Sequence, residues 1–286
     1  MDVVEHPHTY AVKSHHCGWA LPPPPPNALP ADIIDYAQTL PAWERALFAG
    51  LQLLIPQDAF MISLATAQVL VAADGSVQEH RASFGWVMSD QQGNRIAQCN
   101  GPAYGARPGS YRAEGYGVLS VMRFFYHLKA NWQVTNKFSV VCDNEAMVRR
   151  ANEAKPVFNE HPNSTMDSEW DLLAEIWVTM RQLEDKTLSW IKGHQDDKQP
   201  YEKLSLPAQL NVDADKIADQ YIQQNPDHAF HQVPLLPTSG IQLHLPVGTV
   251  THKLKRELRL ARTEPPLRAH LCERFGWSGE TFEDTD

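Results

Sequence analysis

The chain has 286 residues, a formal net charge of −9, a hydrophobic fraction of 43% and eight Trp. That length holds one large domain with appendages or two small ones, and the apolar content is ample for a core. The acidic balance excludes a surface that is basic throughout, though not a local nucleic-acid site, and no apolar run approaches the ~20 residues that span a bilayer.

The first residues, Met1-Asp-Val-Val-Glu-His, lack the basic and apolar regions of a secretory signal. The four cysteines, Cys17, Cys99, Cys142 and Cys272, show neither zinc-finger nor Cys-x-x-Cys spacing. Both features point to reduced thiols in an intracellular protein, cytoplasmic or nuclear, with no membrane partner.

Residues 1–30 read as a disordered Pro-rich tail ending in Pro22–Pro26, a run that favours polyproline II and rules out a helix. His6, His8, His15, His16 and Cys17 fit no metal-ligand spacing. Residues 31–64 read as a helical extension. Ile33, Ile34, Ala37, Leu40, Trp43, Leu47, Leu51 and Leu54 recur at helical spacing, and Pro41 starts a second helix. Residues 65–225 form the main domain. Strands are predicted at 68–77, 84–89 and 96–100, the last two joined by the turn Gln91–Asn94. A long apolar helix follows over 110–129, then a buried strand over 137–143 and a short helix over 146–153. An amphipathic helix over 168–183, a strand over 187–192 and a helix over 211–224 complete the domain. Residues 226–286 form a C-terminal extension, with a short strand at Ile241–Leu245 and a helix over 249–262. That helix carries Lys253, Lys255, Arg256, Arg259 and Arg262 against the single acid Glu257. The pattern alone gives a mixed α/β protein.

Four acids stand out. Asp74 interrupts the apolar run Val69–Ala73, Glu114 lies early in the long helix, Asp143 ends the buried run Phe138–Cys142, and Asp215 lies in the last helix of the domain. Each has an ordinary reading: a turn signal in Asp-Gly, an acid at a helix N-terminus, or an N-cap. A carboxylate at the end of a buried strand is nevertheless costly unless something neutralises it. Several converging carboxylates suit hard divalent cations such as Mg2+ or Mn2+, and a pair of such ions is a device for phosphodiester hydrolysis. Helical geometry puts Asp215 and Asp219 on one face and Asp213 on another.

Five stretches, in order, carry a resemblance: Asp74-Gly-Ser, Tyr111-Arg-Ala-Glu-Gly-Tyr-Gly, Val141-Cys-Asp-Asn, Trp190-Ile-Lys-Gly-His and Asn211-Val-Asp-Ala-Asp-Lys-Ile-Ala. Over about residues 65–225 the chain resembles a type 1 ribonuclease H, especially the version fused to retroelement reverse transcriptases. The resemblance implies a ribonuclease H-like fold, a mixed five-stranded sheet whose first three strands are antiparallel, with helices on both faces. It implies hydrolysis of the RNA strand of RNA–DNA hybrids with two Mg2+ ions, or Mn2+, leaving 5′-phosphate and 3′-hydroxyl ends. Asp74, Glu114, Asp143 and Asp215 would be the metal ligands, with Asp213 the fallback for the last, and His194 would handle protons. Gly75, Ser76, Asn144, Lys192 and Asn211 would contact substrate.

The chain also departs from the cellular enzymes. The hairpin after Asp74 lacks their Gly/Asn-rich segment, and Lys155 is the one cation in 152–167. Gln195-Asp-Asp-Lys198 adds acids to the loop after His194. Weak grip on free hybrid follows, so a reverse transcriptase domain, in cis or in trans, or the basic helix is expected to supply the rest. No Tyr-x-Asp-Asp motif marks this chain as the polymerase itself. The competing expectation is a catalytically silent binding or scaffold module of the same fold.

Overall fold

The structure is a computed structural model, described for residues 4–5, 11–14, 32–105, 108–135, 137–153, 167–231, 236–237, 241–245 and 248–276. In chain order come β1 (Val4–Glu5), β2 (Ala11–Ser14), α1 (Ile33–Thr39), α2 (Ala42–Leu47), β3 (Gln52–Leu53) and α3 (Gln57–Thr66). The central run is β4 (Val69–Gln78), β5 (Arg81–Ser89), β6 (Arg95–Pro102), α4 (Ser110–Trp132), β7 (Phe138–Cys142), α5 (Glu145–Asn152), α6 (Trp170–Arg181), β8 (Lys186–Trp190) and α7 (Leu206–Gln224). After it come α8 (His228–His231), β9 (Ile241–Leu245), β10 (Gly248–Val250) and α9 (Leu254–Phe275). The run Pro22–Pro26 and residues 154–166 lie outside the described residues.

The main sheet has the order β3-β6-β5-β4-β7-β8. Strands β4, β5 and β6 are mutually antiparallel, and β7 and β8 run parallel to β4. This is the expected succession of three antiparallel strands and then alternating helix and strand. The expectation of five strands is corrected to six. Gln52 and Leu53 pair with Gln98 and Ala97 on the free edge of β6. Leu51 and Leu54 fit helical spacing, but an unpaired sheet edge claims the segment between them, and non-local pairing overrides local periodicity. Two further boundaries differ. Helix α7 starts at Leu206, with Pro207 in its first turn where no donor is needed. The basic helix runs over 254–275 rather than 249–262, because Thr249 and Val250 pair with His244 and Leu243.

Side chains on β4 alternate between two layers. Val69, Val71 and Ala73 join the larger core under α4 and α6, while Ala72 packs with Val87, Val141, Leu210 and Ala214 beneath α7. Helices therefore cover both faces. Residues of α1, α2 and α3, including Ile33, Leu47, Phe60 and Leu64, are buried in the same core as α4. A charge cluster fastens that contact. Glu44, 1% exposed, accepts hydrogen bonds from Arg123, whose Nε lies 2.6 Å from Oε1, and sits 2.9 Å from His127 Nε2. The other ring nitrogen of His127 meets the Tyr36 hydroxyl at 2.9 Å. Burial pushes the Glu44 carboxyl up, but the hydrogen bond from His127 and the charge of Arg123 outweigh it and hold the group below the usual carboxylate range.

A second antiparallel sheet, β1-β2-β9-β10, joins segments from both halves of the sequence, with Ala11 opposite His244 and Ser14 opposite Ile241.

Candidate active site

The register of the main sheet builds the site. Ala73 of β4 lies beside Cys142 of β7, so the next residues, Asp74 and Asp143, fall side by side at the end of the central strands. Both acids share a parity with the residues that face α7, Ala72 and Val141. From the other layer, the N-terminal turns of α4 bring Glu114 over the strand end. Gly75 makes that approach possible, since a Cβ there would overlap the backbone nitrogen of Glu114. Helix α7 supplies Asn211 and, one turn later, Asp215.

The acids are held in specific orientations. Asp74 is 6% exposed; its Oδ1 accepts from the Gly75 amide at 2.7 Å and its Oδ2 from Asn211 Nδ2 at 2.9 Å. Glu114, also 6% exposed, accepts from Asn144 Nδ2 and from the Cys142 thiol, each at 3.3 Å. Asn144 is at the same time the N-cap of α5, accepting from the Met147 amide at 3.0 Å. Asp143 therefore need not cap that helix. Its Oδ1 is buried and has no hydrogen-bond partner among the described residues. Its backbone carbonyl accepts the Trp190 indole N–H at 2.9 Å, which fixes that half-exposed ring at the rim of the site.

Like charge accumulates without compensation. Burial, and then the charges of Asp143 and Glu114, push the Asp74 carboxyl well above the usual range. Burial, and then the charge of Asp143, push Glu114 up to about 8. Asp215 is raised by burial and by Asp219, with His194 acting in the opposite sense. No Lys or Arg side chain pairs with any of the four acids among the described residues. One oxygen each of Glu114 and Asp143 and the Cys142 sulfur lie within 4.8 Å of one another. A cluster of carboxylates, one of them with an orphaned buried oxygen, fits a hard divalent cation, which would supply the missing positive charge.

The remaining expected residues take distinct places. Ser76 donates its hydroxyl to Asp219. His194 is exposed in the loop after β8, in left-handed backbone at φ 48°, and Lys192 is exposed two residues earlier. Between them Gly193 passes so close to Asp143 that a Cβ would overlap Oδ2. Asp213 is engaged elsewhere: Arg95 binds it at 2.8 Å and the Tyr201 hydroxyl at 2.8 Å. Of the α7 acids, Asp215 is the one that senses Asp143 and His194. Sequence reasoning gave no site role to Cys142, Gly193 or Trp190, and it weighed Asp219 only as an alternative to Asp215. Only cross-strand register, with Cys142 beside Trp190, and the α7 contacts bring them there.

No known family profile matches the chain, and no curated protein matches it. Solved structures that resemble it include ribonuclease H proteins and a viral protease-reverse transcriptase. The RNase H1 of the archaeon Halobacterium salinarum NRC-1 is 14% identical, covering 56% of this chain and 100% of that one with a TM-score of 0.39. LC11-RNase H1, from compost and solved with an RNA/DNA hybrid, is 16% identical, covering 55% and 98% with a TM-score of 0.39. The protease-reverse transcriptase of prototype foamy virus is 19% identical, covering 55% of this chain and 21% of that one with a TM-score of 0.41.

Proposed function

We propose that the chain is a metal-dependent endoribonuclease that hydrolyses the RNA strand of RNA–DNA hybrids, leaving 5′-phosphate and 3′-hydroxyl ends. The observation that carries this reading is the convergence of Asp74, Glu114, Asp143 and Asp215 with no neutralising cation, in which Glu114 is raised to about 8. These four residues would hold two divalent ions, Mg2+ or Mn2+. When bound, the ions supply charge neutralisation and activation of water for in-line attack on phosphorus.

The protein's own groups orient and select. The Gly75 amide and Asn211 fix both oxygens of Asp74, and Cys142 and Asn144 fix both oxygens of Glu114. Ligands held this way lose little freedom when the substrate arrives. Exposed His194, on a loop facing Asp215, would deliver a proton to the leaving 3′-oxygen, giving the 3′-hydroxyl, and regain one from solvent. Lys192 and the polar rim around Ser76 and Asn144 contact the backbone of the hybrid, and choice of the RNA strand requires a group that reads the 2′-hydroxyl. A reverse transcriptase domain, in cis or in trans, is the natural partner, and a retroelement origin rests on the five sequence stretches.

The test is incubation of the full chain with labelled RNA–DNA hybrid and either Mg2+ or Mn2+, beside Asp143→Asn and a DNA duplex. Cleavage confined to the RNA strand, and at least about 1,000-fold slower in the variant, is expected if removing one ligand costs some 4 kcal/mol of transition-state stabilisation. Binding of the hybrid without cleavage in both metals would instead make the chain a silent scaffold.

A further inference from the structure

The acidic balance of the chain is not evenly spread. Helix α9 and its N-cap Lys253 carry seven cations against three acids, a net +4, which leaves −13 for the rest of the sequence. Of the helix's 22 residues only Glu257 is buried. Lys255, Arg259 and Arg262 are exposed, and at spacings of four and three they share one face over two turns. No ion pair joins the side chains of these three to another described residue, whereas Arg268 further along pairs with Glu264 at 3.8 Å. Three like charges on one face repel each other, and the acidic body nearby does not neutralise them.

The root of this helix is tied, through Glu169, to the helix that carries Glu114. Thr251, just ahead of α9, accepts a backbone hydrogen bond from Glu169 at 2.8 Å, and His252 sits 3.4 Å from the Glu169 carboxylate. Glu169 is paired with Arg112 at 2.6 Å, and Arg112 stands two residues before Glu114 on α4. From Lys255 to Arg262 the helix rises ~10 Å, the length of about three base pairs. Duplex nucleic acid presents phosphates continuously over that distance.

We infer that the Lys255/Arg259/Arg262 face of α9 is a docking surface for the sugar-phosphate backbone of the nucleic-acid duplex that the carboxylate site acts on. It is an electrostatic grip independent of base sequence, and this inference rests on the nuclease reading of the site. The three cations sit in the first turns of the helix, while the exposed Leu267 and Phe275 lie beyond Pro265-Pro266.

The test measures binding apart from cleavage. Fluorescence anisotropy of a labelled RNA–DNA hybrid is recorded in EDTA, from 50 to 200 mM KCl, with the full chain. The triple variant Lys255→Gln/Arg259→Gln/Arg262→Gln is compared with the charge-matched control Lys129→Gln/Lys137→Gln/Arg181→Gln. The control residues lie at the end of the sheet and helices remote from Asp143. The expected result is at least a tenfold loss of affinity at 50 mM KCl in the α9 variant. The slope of log affinity against log salt should fall by about 2.7, as three lost phosphate contacts at ~0.9 each predict, and the control should keep its slope. An unchanged α9 variant, or equal losses in both variants, would overturn the proposal. So would weakened binding to vesicles of anionic lipid with hybrid binding intact, which would reassign the face to membranes. Cleavage without α9-dependent affinity defeats this inference alone, and α9-dependent affinity without cleavage defeats the nuclease reading alone.

Discussion

Two of the buried charge clusters on helix α4 are built on opposite principles. Towards its middle, Arg123 and His127 enclose a single carboxylate, Glu44, so charge is matched where water is excluded. At its N-terminal turns, Glu114 joins three further carboxylates and meets only neutral donors: an amide and a thiol. The first arrangement lowers the carboxyl pKa and the second raises it. A matched cluster fastens one segment to another. An unmatched one is costly unless something brings positive charge, which on the proposed reading is the bound divalent ions.

The sharpest way to break this contrast is to unmatch the matched cluster. Arg123→Met leaves Glu44 buried without its guanidinium and should destabilise the protein by about 3–5 kcal/mol in urea unfolding. Adding Glu44→Gln should restore part of that loss. If the single variant is neutral, the cluster is not a fastening.

The two clusters should also respond to pH with opposite signs. Glu44 has a lowered folded pKa, so its contribution is present at neutral pH and fades as pH falls through the ordinary carboxylate range near 4. Glu114 is raised from 4.5 to about 8, so the folded state binds more protons than the unfolded one and stability falls as pH rises between those values. In EDTA, Glu114→Gln should therefore raise the melting temperature at pH 8 by at least about 2 °C, with the gain vanishing towards pH 4.5. In wild type, Mg2+ should stabilise more at pH 8 than at pH 5.5, because protons compete for the same oxygens. A uniform gain at all pH values would mean that Glu114 is not repelled by its neighbours.

The smallest effect concerns the donors around Glu114. Cys142→Ala removes one of two hydrogen bonds, worth about 1 kcal/mol of stability. Mn2+ affinity, read by titration calorimetry, should weaken about tenfold, and Cys142→Ser should recover most of it. Equal affinities in all three proteins would make the thiol a packing group alone.

The order of these elements was largely legible in the sequence because each site strand carries its own apolar run, and Asp74 and Asp143 visibly break or end one. Strand β3 was not legible, since two residues inside a helical pattern have no local signature and only the edge of β6 defines them. The matched cluster was equally hidden: Glu44 and Arg123 are 79 residues apart, and nothing near either one announces the other. The choice of Asp215 over Asp213 came from resemblance to a family pattern. The structure adds a physical reason, since Arg95 and Tyr201 already occupy Asp213.

The small sheet formed by β1, β2, β9 and β10 has a kinetic consequence. Its central pairing joins Ala11 to His244, so closing it requires a loop of more than two hundred residues. Such a contact gains nothing until the intervening chain has condensed, and its closure entropy makes it a late event in folding. The same sheet is expected to open before the core does, with its amides exchanging hydrogen fastest among the strands. Strand β10 leads directly into the residues that seat α9. The basic helix is thus moored through an element expected to form late, so its orientation should be set after the central sheet has assembled.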